Sequence, residues 1–372
     1  MKAKKKGSPL IDKIFLWINA VLCIALFISY LAPVTDPQKH WYVAFFGLAY
    51  PMLLLGNALL IVYWLFRKSW FVLISLLSIF CGIDVLTNNI GFHPGHSNVA
   101  KPQTGNNIRV LTYNVHSFKK FGARKDIPTK HEILALISDQ QPDIIGIQEF
   151  YTRKRGEYDM IDSIKKITGT DNCYFEKLQG NFDESMGMVI FSKFPIIGTG
   201  FIQLSPDHSN GNQCIYIDVK KNERPFRVYS VHLQSIHFEP EDYRYLDEVS
   251  KSGIGDVHST RRLGGKLKNA FMKRSEQVAK IKAHARQCPY PYIISGDFND
   301  TPTSFAVNQM AKGLRNAFRE KGFGLGRTYN GDFPNYQIDY IMATPQFNIK
   351  SYTITEKKLS DHYPVCADLV LR

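Results

Sequence analysis

"IISGDFND", residues 293–300, is a run of apolar β-formers that stops at Gly296 and then presents a carboxylate, Asp297, and a carboxamide, Asn299. The apolar part reads as a buried strand. A strand that only fills a core has no reason to end on an acid and an amide. The same ending recurs along the chain. "LTYNVH" (111–116) closes on Asn114 and His116, "IGIQEF" (145–150) on Gln148 and Glu149, and "YSVHLQS" (229–235) carries His232. "YQIDYIM" (336–342) brings Asp339, and "LSDHYPV" (359–365) brings Asp361 and His362.

Singly, each residue has a plainer reading: a satisfied histidine, a turn aspartate, the first solvated position after a strand. Together they point elsewhere. Apolar strands that all end in carboxylates, amides and imidazoles at one rim make a concave site of convergent polar groups. Crowded carboxylates are costly unless a cation is shared among them. The donors are oxygens with no cysteine cluster, so a hard ion such as Mg²⁺ or Mn²⁺ suits them better than zinc. Two histidines beside the acids can bind or move protons near neutral pH.

Around these strands lie further short β-rich runs: 187–194, 213–220, 226–233 and 365–371. Helical stretches separate them. "TKHEILALISDQQ" (129–141) has apolar residues at helical spacing and a capping-box start at Thr129 and Glu132. A longer helical region covers roughly 239–287. Many strands with helices between them suggest two packed sheets covered by helices.

The first quarter of the 372-residue chain differs. Ile14–Ala32 and Trp41–Phe66 carry no charge, and Trp70–Leu86 carries only Asp84. Each run approaches the length needed to cross about 30 Å of hydrocarbon, with Tyr30, Trp41, Trp64 and Trp70 near the edges as an interfacial belt. A cleaved signal peptide is the alternative for the first run, but its apolar stretch is long and no clear A-x-A site follows. The expected organisation is therefore a three-helix transmembrane anchor (1–87), an Asn/Gly/Pro-rich linker (88–106) and a catalytic domain (107–372). Lys2, Lys4, Lys5, Lys6 and Lys13 precede the first run, and Arg67 and Lys68 join the second to the third. The positive-inside rule then puts the N-terminus in the cytoplasm and residues after Leu86 on the extracytoplasmic side of a bacterial inner membrane. Cys173, Cys214, Cys288 and Cys366 show no metal-type spacing and are expected as buried thiols, with a disulfide not readable.

As an ordered set, "TYNV", "IQE", "GMVIFSKFPI", "VHL", "GDFN", "IDYI" and "SDH" resemble the endonuclease/exonuclease/phosphatase (DNase I-like) family over roughly residues 107–372. The resemblance implies an α/β fold, a four-layer α/β/β/α sandwich, and Mg²⁺-dependent cleavage of phosphate esters. It implies Glu149 as the principal metal ligand and Asn114 as support for metal and substrate phosphate. Asp297 would orient or deprotonate the attacking water, with Asn299 as its transition-state partner. His362 would contact the phosphate with Asp339 fixing its ring, Asp361 would stand at the metal edge, and His232 matches a second histidine. Some nuclease members have an acid where this chain has His116, which favours one ion over two.

The net charge of +13 favours anionic partners without choosing among them. "STRRLGGKLKNAFMKR" (259–274) could grip nucleic acid or anionic headgroups, or be a solvated helix face. Arg274 and Gln277 fall where the family packs an Arg and a Gln behind the site. An external catalytic domain on three spans resembles membrane proteins of this family that act on lipid-linked pyrophosphate, so a lipid-linked phosphate ester is the favoured substrate. A tethered nuclease is the alternative, and a non-catalytic binder is disfavoured by the complete polar set. No protein partner is inferable.

Overall fold

Runs such as "IRVLTYNV" and "YIISGD" are apolar on both faces, so each strand needs cover above and below. The computed structural model shows how this is met, and it describes residues 10–94, 107–119, 127–205, 211–236, 238–253, 255–331 and 336–372. Five helices come first: α1 Leu10–Ser29, α2 Pro37–Leu48, α3 Tyr50–Phe66, α4 Val72–Cys81 and α5 Ile83–Asn89, then the short strand β1 Gly91–Phe92. Next are β2 Asn107–Asn114, α6 Ile127–Gln140, β3 Ile144–Arg153, α7 Met160–Thr168, β4 Asn172–Gly180, β5 Glu184–Ser192, β6 Ile196–Gln203, β7 Gln213–Lys221 and β8 Arg224–His232. The chain closes with α8 Pro240–Ser252, α9 Val257–Arg286, β9 Tyr292–Asp297, α10 Phe305–Ala311, β10 Arg315–Asn316, α11 Ala317–Lys321, β11 Phe323–Gly324, β12 Asp339–Ala343, β13 Phe347–Ile354 and β14 Val365–Leu371.

Two six-stranded sheets result, in the orders β13-β14-β2-β3-β5-β4 and β10-β12-β9-β8-β7-β6. The period-2 alternation of a strand explains the layering. Ile108 and Val110 of β2 face the second sheet, where Ile215, Ile217, Val228 and Ile293 meet them in one buried cluster. Leu111 and Tyr113 face the other way, onto Ile133 and Ile137 of α6 and Ile164 of α7. In β9, Ile293 points between the sheets, while Ile294 packs outward against Val278 and Ile281 of α9 and Met310 of α10. The result is a mixed α/β sandwich with helices on both outer faces.

The expected strands are present. Among the described residues six more are present: β4, β6, β10 and β13 at the edges of the two large sheets, and β1 and β11 paired with each other. The helix expected at 129–141 begins at Ile127, so Thr129 and Glu132 sit inside it and do not form its cap. The region 239–287 is two helices, broken after Gly253. All six cysteines are free thiols; Cys214 and Cys366 are buried, and Cys173 and Cys288 half-buried.

One buried ion pair ties the first sheet together. Arg109 of β2 donates from Nε and Nη2 to Asp368 of β14 at 2.8 and 2.9 Å, and Ser351 Oγ adds a bond at 2.7 Å. Removing one member strands the other charge, which typically costs about 3–5 kcal/mol. Asp368→Ala should lower the urea-unfolding stability of the full chain in detergent by about that amount; an unchanged midpoint would contradict this role for the pair.

The N-terminal helices depart from the expected picture. Leu10–Ser29 is the one helix among the described residues that is by itself long and apolar enough to cross a membrane. The second and third runs qualify only as bent pairs, α2 with α3 at 46° and α4 with α5 at 73°. Pro51, in the first turn of α3, cannot donate to the preceding turn, and the helix breaks there. At Gly82 the Tyr30 ring approaches so closely that a Cβ would lie 2.1 Å from it. A polar cluster knits α1, α3 and α4: Asn19 donates to Ser75 (2.6 Å), Ser75 to Asn57 (3.0 Å) and Trp64 Nε1 to Asn19 (3.0 Å). Such groups hold helices together where no water competes.

The expected linker is also partly structured. α5 continues to Asn89, and β1 pairs antiparallel with β11, Gly91 opposite Gly324. Residues 95–106, the rest of that stretch, lie outside the described residues. The helices are therefore docked on the sandwich, and α2 carries most of that contact. Gln38 Nε2 donates to Met272 O (2.8 Å) and Glu276 Oε1 (2.9 Å) of α9, and Ser275 Oγ donates to Asp36 Oδ1 (2.8 Å).

Candidate active site

Sheet register does most of the assembly. In the parallel pair β8–β9, His232 stands opposite Asp297; in the antiparallel pair β9–β12, Asp339 stands opposite Asp297. Three polar residues far apart in sequence thus form one row across three strands. Gly296, at φ +142°, allows the close packing just before it, because a Cβ there would lie 2.1 Å from Val231 O. In the other sheet, Asn114 ends β2 opposite Gln148. A register shift in β3 between Ile147 and Phe150 puts Glu149 at φ +50°, a conformation costly for a residue with a Cβ. Bulges of this kind re-aim a side chain, and here it is the Glu149 carboxylate that is re-aimed. Asn299, at φ +53°, is held by its own N–H on Asp297 Oδ1 at 2.8 Å.

The expected residues converge. Asn114 Nδ2 donates to Glu149 Oε1 (3.1 Å) and to Asp297 Oδ2 (3.2 Å), joining the two sheets. His232 Nε2 lies 3.6 Å from Asp297 Oδ2 and 3.9 Å from Glu149 Oε1. His362 Nε2 lies 3.6 Å from the same Asp297 oxygen, and its Nδ1 lies 3.0 Å from Asp339 Oδ2. Asn299 Nδ2 donates to Asp297 Oδ2 at 3.2 Å and to Leu233 O at 3.1 Å. Asp361 takes a bond from Ser360 Oγ at 3.1 Å.

Burial sets the protonation. Desolvation raises the carboxyl of Asp297, which is fully buried, to about 6; His362 opposes that shift and Asp339 adds to it. Desolvation also works against charge on His362, but Asp339 and Asp297 outweigh it and hold the imidazole protonated well above its usual range. Glu149 feels the same desolvation, yet His116, His232 and Asn114 hold it down to about 2. The site thus pairs one permanently ionised carboxylate with one poised near neutrality, a separation typical of assigned acid–base roles.

His116 takes a larger part than its sequence position indicated. Its Nδ1 lies 3.4 Å from Glu149 Oε2 and 3.9 Å from Asp361 Oδ1, and its pKa is raised chiefly by the bond to Glu149. Arg274 and Gln277 pack behind the site. Arg274 donates from Nε to Gln234 O at 2.8 Å and pairs with Asp300 at 2.9 Å, while Gln277 Oε1 accepts from Gln234 N at 2.9 Å. Both grip the chain two residues after His232. Sequence reasoning missed several residues that line the pocket: Leu48, Phe238, Tyr243, Tyr329 and Tyr336. Tyr329 pairs with His362 through a bridge and an edge-on ring contact at 5.5 Å. Leu48 lies within the uncharged run Trp41–Phe66, where nothing in the local sequence marks it as part of a site.

The donor set suits a hard divalent cation: carboxylate and amide oxygens with imidazoles, and no cysteine among the residues lining the pocket. Asp297, Asp339 and His362 offer ligand atoms within 4.8 Å of one another, a trio that shares no member with the expected ligands Glu149, Asn114 and Asp361. In that trio Asp339 already engages His362 Nδ1. Glu149 lines the same pocket with its side chain 29% exposed, and so could offer its carboxylate to a cation there.

Comparison with known proteins agrees with this geometry. Residues 111–362 match the Endonuclease/Exonuclease/phosphatase family, and residues 12–89 match a domain of unknown function, DUF8431. No curated protein matches the chain. An endonuclease/exonuclease/phosphatase family protein from Bacteroides thetaiotaomicron aligns at 18% identity, covering 72% of this chain and 98% of its own, with a TM-score of 0.52. The corresponding protein of Bacteroides vulgatus aligns at 17% identity, covering 72% and 99%, with a TM-score of 0.52. A mannosyl-6-phosphatase of Bacteroides thetaiotaomicron aligns at 18% identity, covering 71% and 100%, with a TM-score of 0.50. At these identities the structures establish the shared fold. With the family match spanning most of the chain and the acid–imidazole cluster assembled within it, this protein belongs to the endonuclease/exonuclease/phosphatase family of metal-dependent hydrolases.

Proposed function

We propose that the protein is a membrane-anchored, extracytoplasmic phosphoesterase that hydrolyses a phosphodiester or pyrophosphate bond of a lipid-linked substrate. The observation that carries this reading is the composition of one pocket. The acids and imidazoles share that pocket with Leu48, Ile236, Phe238, Leu267 and Phe271. A phosphate attached to hydrocarbon can bury its apolar part against such a wall. The basic run 259–274 is largely engaged within the protein. Arg262 and Lys266 pair with Asp242, Lys268 stacks over Trp41, and Arg274 is buried.

Topology supports an external site. Asp12 of α1 pairs with Arg67 just beyond α3 at 2.8 Å, so these ends lie together, with Lys13 and Lys68 close by in sequence. Tyr30 and Tyr50 meet at the other end, ring centroids 6.2 Å apart, next to α2 and its contacts with α9. Basic residues at the end away from the sandwich fit a cytoplasmic face there. The anchor then crosses the membrane three times, the last span short.

In the reaction, ionised Asp297 accepts the proton of the attacking water. Asn299 and His232 orient that water and the phosphate, and protonated His362, held by Asp339, donates to a phosphate oxygen as charge develops. Glu149, with Asn114 and Asp361, would hold Mg²⁺, which when bound supplies positive charge against the non-bridging oxygens. The test is turnover by the intact chain in detergent with Mg²⁺, on lipid-linked pyrophosphate, sphingomyelin and supercoiled DNA. Lipid turnover is expected; strong nicking of DNA with no lipid turnover would overturn the assignment.

A further inference from the structure

The contact between α2 and α9 has a consequence for the pocket. α2 ends at Leu48, which lines the same cavity as Glu149, Asp297 and His362. Its position is fixed three ways. Tyr336, itself a pocket residue, donates its hydroxyl to Leu48 O at 3.3 Å. One turn earlier, Phe45 meets Phe271 edge-on at 5.4 Å, and Phe271 lines the cavity. Gly47 packs tightly, since a Cβ there would lie 2.6 Å from Ala32 Cβ and 3.4 Å from Thr303 O. Beyond Leu48 the chain turns at once into α3, whose Leu55, Leu59 and Val62 are exposed apolar residues. Apolar residues therefore run from the lining of the cavity that holds the acids onto the exposed surface of α3.

We propose that Leu48, with Phe271, Leu267 and Phe238, forms a slot that seats the hydrocarbon chain of the substrate next to its phosphate, making the membrane anchor a specificity element of the active site. The inference rests on the phosphoesterase reading above and adds to it the part of the substrate that the anchor recognises. A wall that served only to dock the anchor would have no reason to open into the cavity that holds the acids.

The test uses the full chain in mixed micelles with Mg²⁺ and two probes sharing one scissile bond, methyl p-nitrophenyl phosphate and hexadecyl p-nitrophenyl phosphate. Burying even two methylenes is worth roughly tenfold in binding, so wild type should favour the hexadecyl ester in kcat/KM by at least that factor. Leu48→Trp, which fills the slot, should lower the hexadecyl-to-methyl ratio about tenfold. Should that variant fail to fold, Leu48→Ala, which introduces no clash, should still reduce the ratio several-fold. A ratio unchanged in both variants, or a wild type that hydrolyses both esters equally, overturns the slot while leaving the phosphoesterase reading intact. A wild type that hydrolyses neither ester but nicks DNA overturns the underlying reading, and the slot with it.

Discussion

Asp297→Asn should lower kcat by about 10³ or more while leaving the fold unchanged, because the substitution is isosteric and removes the ability to take a proton. General-base catalysis contributes about 10²–10⁴ in well-studied enzymes, and Asp297 is the buried acid whose pKa sits nearest neutrality, at about 6. The sign is definite. The group acts when ionised, so activity falls as pH drops through its pKa, and the acid limb of kcat/KM should lie at or below about pH 6, lower still in the cation-loaded enzyme. In the variant that limb should vanish from the residual rate. Steady-state kinetics across pH, with circular dichroism to confirm folding, decides the matter; a variant within tenfold of wild type would remove Asp297 from the chemistry.

The second large effect concerns His362. His362→Ala takes away a protonated imidazole aimed at the phosphate, and losing one such donor typically costs about 10²–10³ in rate. Asp339→Asn should cost less. The imidazole remains, but loses the carboxylate 3.0 Å from Nδ1 that orients it and keeps it charged. The ordering of the two variants is the informative result. Were Asp339→Asn as damaging as His362→Ala, Asp339 would have a direct role beyond holding the ring.

Much of the site was legible because its residues break a local rule. Asp297, Asp339 and His232 end or interrupt apolar strands, where a core has no use for them, and strand register brings the three into one row. His116 was visible as a departure from the family pattern, but its contact with Glu149 depends on turning the chain through positive φ at both residues, which sequence does not announce. The longer strands left unread, β4, β6 and β13, are all edge strands. One side of an edge strand faces solvent, so "NCYFEKLQG" and "FNIKSYTI" mix polar and apolar residues and lose the signal of a buried run. The bend and docking of α2 were not legible: the uncharged run Trp41–Phe66 is a bent helix pair, and composition alone does not show that Phe45 meets Phe271 of α9.

Glu149 is the point on which the metal assignment turns. It is the ionised carboxylate open to the pocket, set there by a bulge in β3 and held by Asn114. Manganese titration of the detergent-purified full chain, followed by electron paramagnetic resonance, should show one tightly bound ion in wild type and its loss in Glu149→Gln, with His362→Ala still binding. Equal manganese occupancy in wild type and Glu149→Gln would contradict the account.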